Sequence, residues 1–176
     1  ISFETGKRIV DMVHEDLTPS KIMTKEAFEN AILVASAIGA SSNCPPHLTA
    51  IARHMGLKLD IENWQTLGHD IPLLVNCQPA GEHLMERFHS AGGIPAIMQE
   101  LLKNNKLHKN VLTVSGKTVE ENLKIKIDVD TDVIKSFANP LVENAGYIVM
   151  RSNFFSSAVM KTSVISEEFR KRYLSD

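Results

Sequence analysis

Gly39-Ala40-Ser41-Ser42-Asn43 is the stretch of this 176-residue sequence best equipped for chemistry. It runs into a predicted helix start, where small residues let backbone N–H groups point outward and the helix dipole favours an anion. Ser41, Ser42 and Asn43 add hydroxyl and amide groups, and His47 follows about one turn later. Either one of the three polar residues simply caps the helix, or the group contacts a ligand; the spacing leaves both open. His47 and His54 share a helix face, whereas His83 and His89 diverge around theirs, and no H-E-x-x-H pair is present. Cys44 and Cys77 stand outside any C-x-x-C or Cys/His cluster. They read as two buried thiols of a reducing compartment. Ser115-Gly116-Lys117-Thr118 copies the end of a phosphate-binding loop, but Val111 occupies the position that requires glycine. A capping box, Thr118 with Glu121, explains that segment better. Glu82 with Glu86, and Glu26 with Asn30, read as solvated helix faces. No carboxylate pair stands out as an acid–base couple.

Positioning these groups falls to helices and short strands. Residues 2–16 carry Phe3, Ile9, Val10, Met12 and Val13 at helical spacing, up to Thr18-Pro19. Thr24 is expected to cap a helix that runs to Ile38 and stops at Gly39. The next starts near Asn43, takes Pro45 and Pro46 in its first turn and ends at Gly56. Asp60 is expected to cap a short helix through Leu67. Residues 71–77 are apolar and bounded by turn residues, which predicts a buried strand with Pro72 at its start. Helices over 81–90 and 95–104 follow, then a short strand over 111–114. Strands separated by helices indicate an α/β fold with short, partly parallel strands.

From Lys124 the texture changes to alternating runs of Val, Ile, Phe and Ser. Residues 147–150 and 154–164 read as strands, and Ser166 starts a helix through Tyr173. The expected organisation is a partial α/β domain over 1–124, a connecting segment over 125–142 and the start of a β-rich domain over 143–176. The first residues, Ile1-Ser2-Phe3-Glu4-Thr5, read as a chain entered within a helix.

Composition excludes several classes. Hydrophobic residues are 43% and charged residues 23%, ordinary for a globular protein. A formal charge of −2 gives no electrostatic case for nucleic acid or an anionic membrane. No apolar run approaches the ~20 residues of a spanning helix.

Several ordered blocks together resemble the dihydroxy-acid dehydratase and phosphogluconate dehydratase family. Residues 37–48 look like its G-G-S-T-N-x-x-x-H block, with Ala40 and Ser42 replacing the usual second glycine and the threonine. Ile71-Pro72-Leu73-Leu74, Gln78-Pro79-Ala80-Gly81, the block 88–96 and Leu112-Thr113-Val114-Ser115-Gly116-Lys117-Thr118 follow in order. The tail, residues 153–163, is similar to the sugar-acid members that act on pentonates and arabinonates rather than to the branched-chain amino acid enzymes.

The resemblance implies a lyase of carbohydrate metabolism that removes water from a 2,3-dihydroxy acid to give a 2-keto-3-deoxy acid. It implies an iron–sulfur cluster and a divalent cation, Mg²⁺, in the full-length protein. The cluster cysteines, metal-binding acids and catalytic serine of the family fall outside residues 1–176. This chain is therefore expected to be an internal fragment that binds neither cofactor and is inactive alone. The alternatives are a fragment of the branched-chain dihydroxy-acid dehydratase, or a non-catalytic scaffold of the same ancestry. Within the chain, Ser41, Ser42, Asn43 and His47 are expected to support the substrate site, with no catalytic or metal-ligating residue. A small sugar acid, a homo-oligomer (dimer or tetramer) and a cytoplasmic location complete the expectation, with no nucleic-acid or membrane partner.

Overall fold

A computed structural model describes residues 1–175, with side chains through residue 172. In chain order the elements are α1 (Ser2–His14), α2 (Pro19–Ile22), α3 (Lys25–Ala37), α4 (Cys44–His54), α5 (Glu62–Gly68), α6 (Met85–Ser90), α7 (Gly93–Lys103) and α8 (Val119–Asn122). Then come β1 (Tyr147–Met150), β2 (Ala158–Lys161), a 3-10 turn (Thr162–Val164) and α9 (Glu167–Ser175). The chain is mixed α/β, its regular structure chiefly helical, with one two-stranded antiparallel sheet among the described residues. No helix among them is long and apolar enough to cross a membrane.

α3 organises the interior. Thr24 Oγ1 accepts a hydrogen bond from the Ala27 N–H at its start, and Gly39, at φ +61°, turns the chain away after its end. Its apolar residues wrap most of the helix, so it is buried on more than one face. Phe28, Ile32 and Ala35 join Ala52, Leu59, Trp64 and Tyr147 in one cluster. Leu33 and Ala37 join Leu74, Val75, Phe88, Ile97, Leu101, Val133 and Ile134 in another. Each large side chain so buried is worth roughly 1.5–3 kcal/mol. Asn30, expected on a solvated face, is instead buried. Its side chain accepts from the His108 N–H at 2.8 Å and donates to the His108 carbonyl at 3.0 Å, so the polar group is satisfied.

Residues 71–77 are extended and almost wholly buried, but they do not form the regular strand expected. They pair antiparallel with the segment 133–145 through isolated bridges, Leu73 with Val142 and Val75 with Ile134. A turn closed by the Asn139 N–H on the Ser136 carbonyl interrupts the partner, and Pro140 has no N–H to donate. Among the described residues parallel pairing is confined to a single bridge, Cys77 with His83. Segment 111–114 likewise makes one bridge, Leu112 with Thr118, beneath a tight turn at Gly116. The helix expected from residue 81 begins at Met85. Before it, the Asn76 side chain accepts the Glu82 N–H at 2.9 Å and His83 exchanges backbone bonds with Asn76 and Gln78, which holds the chain extended.

Other boundaries shift for local reasons. α5 starts at Glu62 with Ile61 at its cap position, and Asp60 does not cap it. The Asp60 N–H donates to Asn63 Oδ1 at 2.8 Å, while its carboxylate lies 3.4 Å from the Lys58 ammonium. The strand expected over 154–164 shortens to β2, because Phe154 and Phe155 lie in an exposed loop and Thr162 begins a 3-10 turn. The apolar stripe of α1 forms but is not core: Met12 alone of the five is buried, and Phe3 and Val13 are 76% and 74% exposed. The capping box forms as expected, with Thr118 Oγ1 accepting the Glu121 N–H and the Glu121 carboxylate accepting the Thr118 N–H.

Candidate functional site

The Gly39–Asn43 loop is built by its two ends. Gly39 adopts a left-handed conformation that a side chain would strain. A Cβ there would also sit 2.9 Å from Leu73 Cδ1 and 3.1 Å from Ser163 Oγ. At the other end α4 begins at Cys44, with Pro45 and Pro46 in its first turn, where a missing N–H costs nothing. Between them the Ala40 carbonyl accepts a hydrogen bond from Tyr147 Oη at 2.8 Å, and the Ser41 carbonyl lies 3.3 Å from the same hydroxyl. Tyr147 is itself wedged edge-on against Trp64, ring centroids 4.9 Å apart.

β1 and β2 pair in antiparallel register, which sets Tyr147 opposite Lys161. Opposed residues project to the same face of a sheet. The register is locked just beyond the strand, where the Thr162 N–H and hydroxyl both bond the Gly146 carbonyl, at 3.1 and 2.6 Å. Gly146 in turn lies against the Gly68 carbonyl, so the strand pair sits directly on the end of α5.

The loop, the end of β2 and residues of the segments 75–79 and 85–88 together line a cavity of about 710 Å³. Ser41, Ser42, Gln78, Met85, Phe88 and Lys161 are among the residues that line it. That volume suits a small organic ligand. Of the expected site residues, Ser41 and Ser42 lie on this cavity, and Ser42 also borders a second hollow beside Arg53 and Glu62. Asn43 and His47 are exposed and outside the cavity's lining. Asn43 holds the cap position of α4 but makes no side-chain capping bond; its N–H donates to Ser41 Oγ at 3.2 Å.

Lys161 is the residue that sequence reasoning missed. In the sequence it is only a lone charge between Arg151 and Glu167, which by itself marks no site. Among the described residues it is the only charged one in the cavity lining. Partial burial lowers its pKa, an effect that the nearby Cys44 partly opposes. Burial raises the Cys44 thiol, against the pull of Lys161, and burial pushes the Tyr147 phenol well above its ordinary value. The tyrosine is therefore a donor throughout the physiological range.

Among the described residues no three His, Cys, Asp or Glu side chains converge. The Cys77 thiol lies 3.6 Å from the Met85 sulfur, in an apolar setting, and Cys44 is held protonated. Such residues do not fit an iron–sulfur cluster or Mg²⁺.

The sequence profile described as dihydroxy-acid/6-phosphogluconate dehydratase, N-terminal, matches residues 1–122. The chain belongs to the dihydroxy-acid/6-phosphogluconate dehydratase family. Among curated dehydratases, a D-xylonate dehydratase of Caulobacter vibrioides is 51% identical over 175 residues, covering 99% of this chain and 29% of that protein. An L-arabinonate dehydratase of Rhizobium leguminosarum is 45% identical, covering 92% and 28%. A dihydroxy-acid dehydratase of Acetivibrio thermocellus is 40% identical, covering 94% and 30%. The chain thus spans under a third of the length of these dehydratases.

Proposed function

We propose that this chain is a segment of a sugar-acid dehydratase, a hydro-lyase that removes water from a 2,3-dihydroxy acid to give a 2-keto-3-deoxy acid. The observation that carries the reading is the seryl rim of the cavity, in a chain whose identity to a D-xylonate dehydratase exceeds that to a dihydroxy-acid dehydratase by 51% to 40%. A polyhydroxylated acid needs hydrogen-bond partners along its length, and Ser41 and Ser42 each offer a donor and an acceptor. In this reading Ser41 and Ser42 touch the substrate. Asn43, through its N–H on Ser41, orients the loop, and His47 serves the helix behind it.

The iron–sulfur cluster and Mg²⁺ belong, in this proposal, to parts of the full-length protein other than this chain. Bound there, they would supply Lewis-acid chemistry to the dehydration. What residues 1–176 do is bind and orient. The division into 1–124, a connector over 125–142 and a further domain from 143 is supported by the family match stopping at residue 122. A homo-oligomer in the cytoplasm completes the proposal.

The test compares two polypeptides. The 176-residue chain, supplied with iron, sulfide and Mg²⁺, is expected to form no 2-keto acid from D-xylonate, and the full-length protein is expected to form it. Keto acid from the chain alone would overturn the assignment.

A further inference from the structure

We propose that Lys161 recognises the carboxylate of the substrate, while Ser41 and Ser42 take hydroxyl groups of its sugar chain. The inference rests on the sugar-acid reading and assigns a binding role to a residue outside the loop on which that reading stands.

Three observations converge. First, among the described residues Lys161 is the only charge on a cavity wall otherwise made of apolar, hydroxyl and amide groups. No carboxylate among the described residues pairs with it, whereas Lys21, Lys25, Lys58, Lys103, Lys109 and Lys135 each lie within ion-pair distance of an acid. Second, its placement is built rather than loose. It ends β2 in register with Tyr147, and the next residue is pinned to Gly146 by two hydrogen bonds. Third, the serines opposite are tied to the same strand pair. Tyr147 holds the carbonyls of Ala40 and Ser41, so the distance between ammonium and hydroxyls is set by one element rather than two.

The chemistry follows. A half-buried ammonium has lost part of its hydration, which is why its proton is held less firmly. A carboxylate entering the cavity replaces that hydration with a charge-assisted hydrogen bond, stronger than a neutral one. One carboxylate oxygen satisfies the lysine, and the other stays open to groups that this chain does not supply. A neutral polyol of the same length gains the serine contacts only.

Calorimetric binding of D-xylonate and of xylitol to the full-length protein separates charge recognition from general packing. Lys161→Met is expected to weaken D-xylonate by about ten- to hundredfold, the span of a lost charge-assisted bond, and to leave xylitol unchanged. Lys161→Arg is expected to restore most of the D-xylonate affinity. In turnover, Lys161→Met should raise KM far more than it lowers kcat. Equal weakening of both ligands, or unchanged D-xylonate affinity, would overturn the proposal. Charge-specific binding without dehydration of any sugar acid would uphold Lys161 and sink the functional reading. Dehydration with an unchanged KM in Lys161→Met would do the reverse.

Discussion

Tyr147 and Lys161 face each other across the β1–β2 pair, and Tyr147 reaches beyond it to donate to the Ala40 carbonyl at 2.8 Å. One tyrosine therefore couples the lysine-bearing wall of the cavity to its serine-bearing rim. Without the hydroxyl, the Gly39–Asn43 loop keeps its turn but loses its tie to the sheet.

Tyr147→Phe should accordingly cost about 1 kcal/mol, the net value of one buried hydrogen bond. A pH signature goes with it. Burial raises the folded phenol's pKa, so the unfolded chain releases its proton first, near pH ~10. The stabilisation is whole below that pH and is lost as pH rises beyond it. Urea unfolding at a series of alkaline pH values should show the wild-type chain falling more steeply than Tyr147→Phe.

Gly39 and Gly56 form a matched pair. Both have positive φ, +61° and +71°. A Cβ at Gly56 meets nothing within 4 Å, whereas at Gly39 it meets Leu73 and Ser163. Gly56→Ala should cost the backbone penalty alone, about 1–2 kcal/mol. Gly39→Ala should cost measurably more in the same unfolding assay, and it should also weaken ligand binding at the rim.

Trp64 is fully buried, yet its Nε1 has no hydrogen-bond partner among the described residues. Trp64→Ala should cost about 3–5 kcal/mol as a core cavity. Trp64→Phe removes the unpaired N–H along with only part of the volume, so its loss should be less than half as large. Thermal melts of the two variants decide it.

Thr118→Ala should cost about 1 kcal/mol, the usual value of a lost cap. The Glu121 carboxylate, held below its ordinary range by bonds from Thr118, ties this to acid. Its contribution is present above the ordinary carboxylate pKa and is lost as pH falls through the depressed one. The gap between wild type and Thr118→Ala should therefore narrow at low pH without closing, because the Thr118 Oγ1 bond to the Glu121 N–H persists.

Much of this was legible in the chain. Thr24, Gly39, Pro45, Gly56 and the Thr118–Glu121 box mark helix ends by local chemistry alone, and the ends fall within a residue or two of those marks. What was not legible depends on partners distant in sequence. Residues 71–77 look like a strand, but whether they form one depends on the turn and Pro140 sixty residues on. The α1 stripe has core spacing, yet little among the described residues covers it. At the site, Ser41 and Ser42 could be read from small and polar residues at a helix start. Lys161 could not, because only the β1–β2 register brings residue 161 to the loop at 41.

Substrate preference of the full-length protein tests the central claim most directly. Measured as kcat/KM, the account predicts that D-xylonate or L-arabinonate exceeds 2,3-dihydroxyisovalerate by at least about tenfold, the discrimination expected from one or two additional substrate hydroxyls meeting Ser41 and Ser42. A protein that prefers 2,3-dihydroxyisovalerate, or that dehydrates neither class, would contradict it.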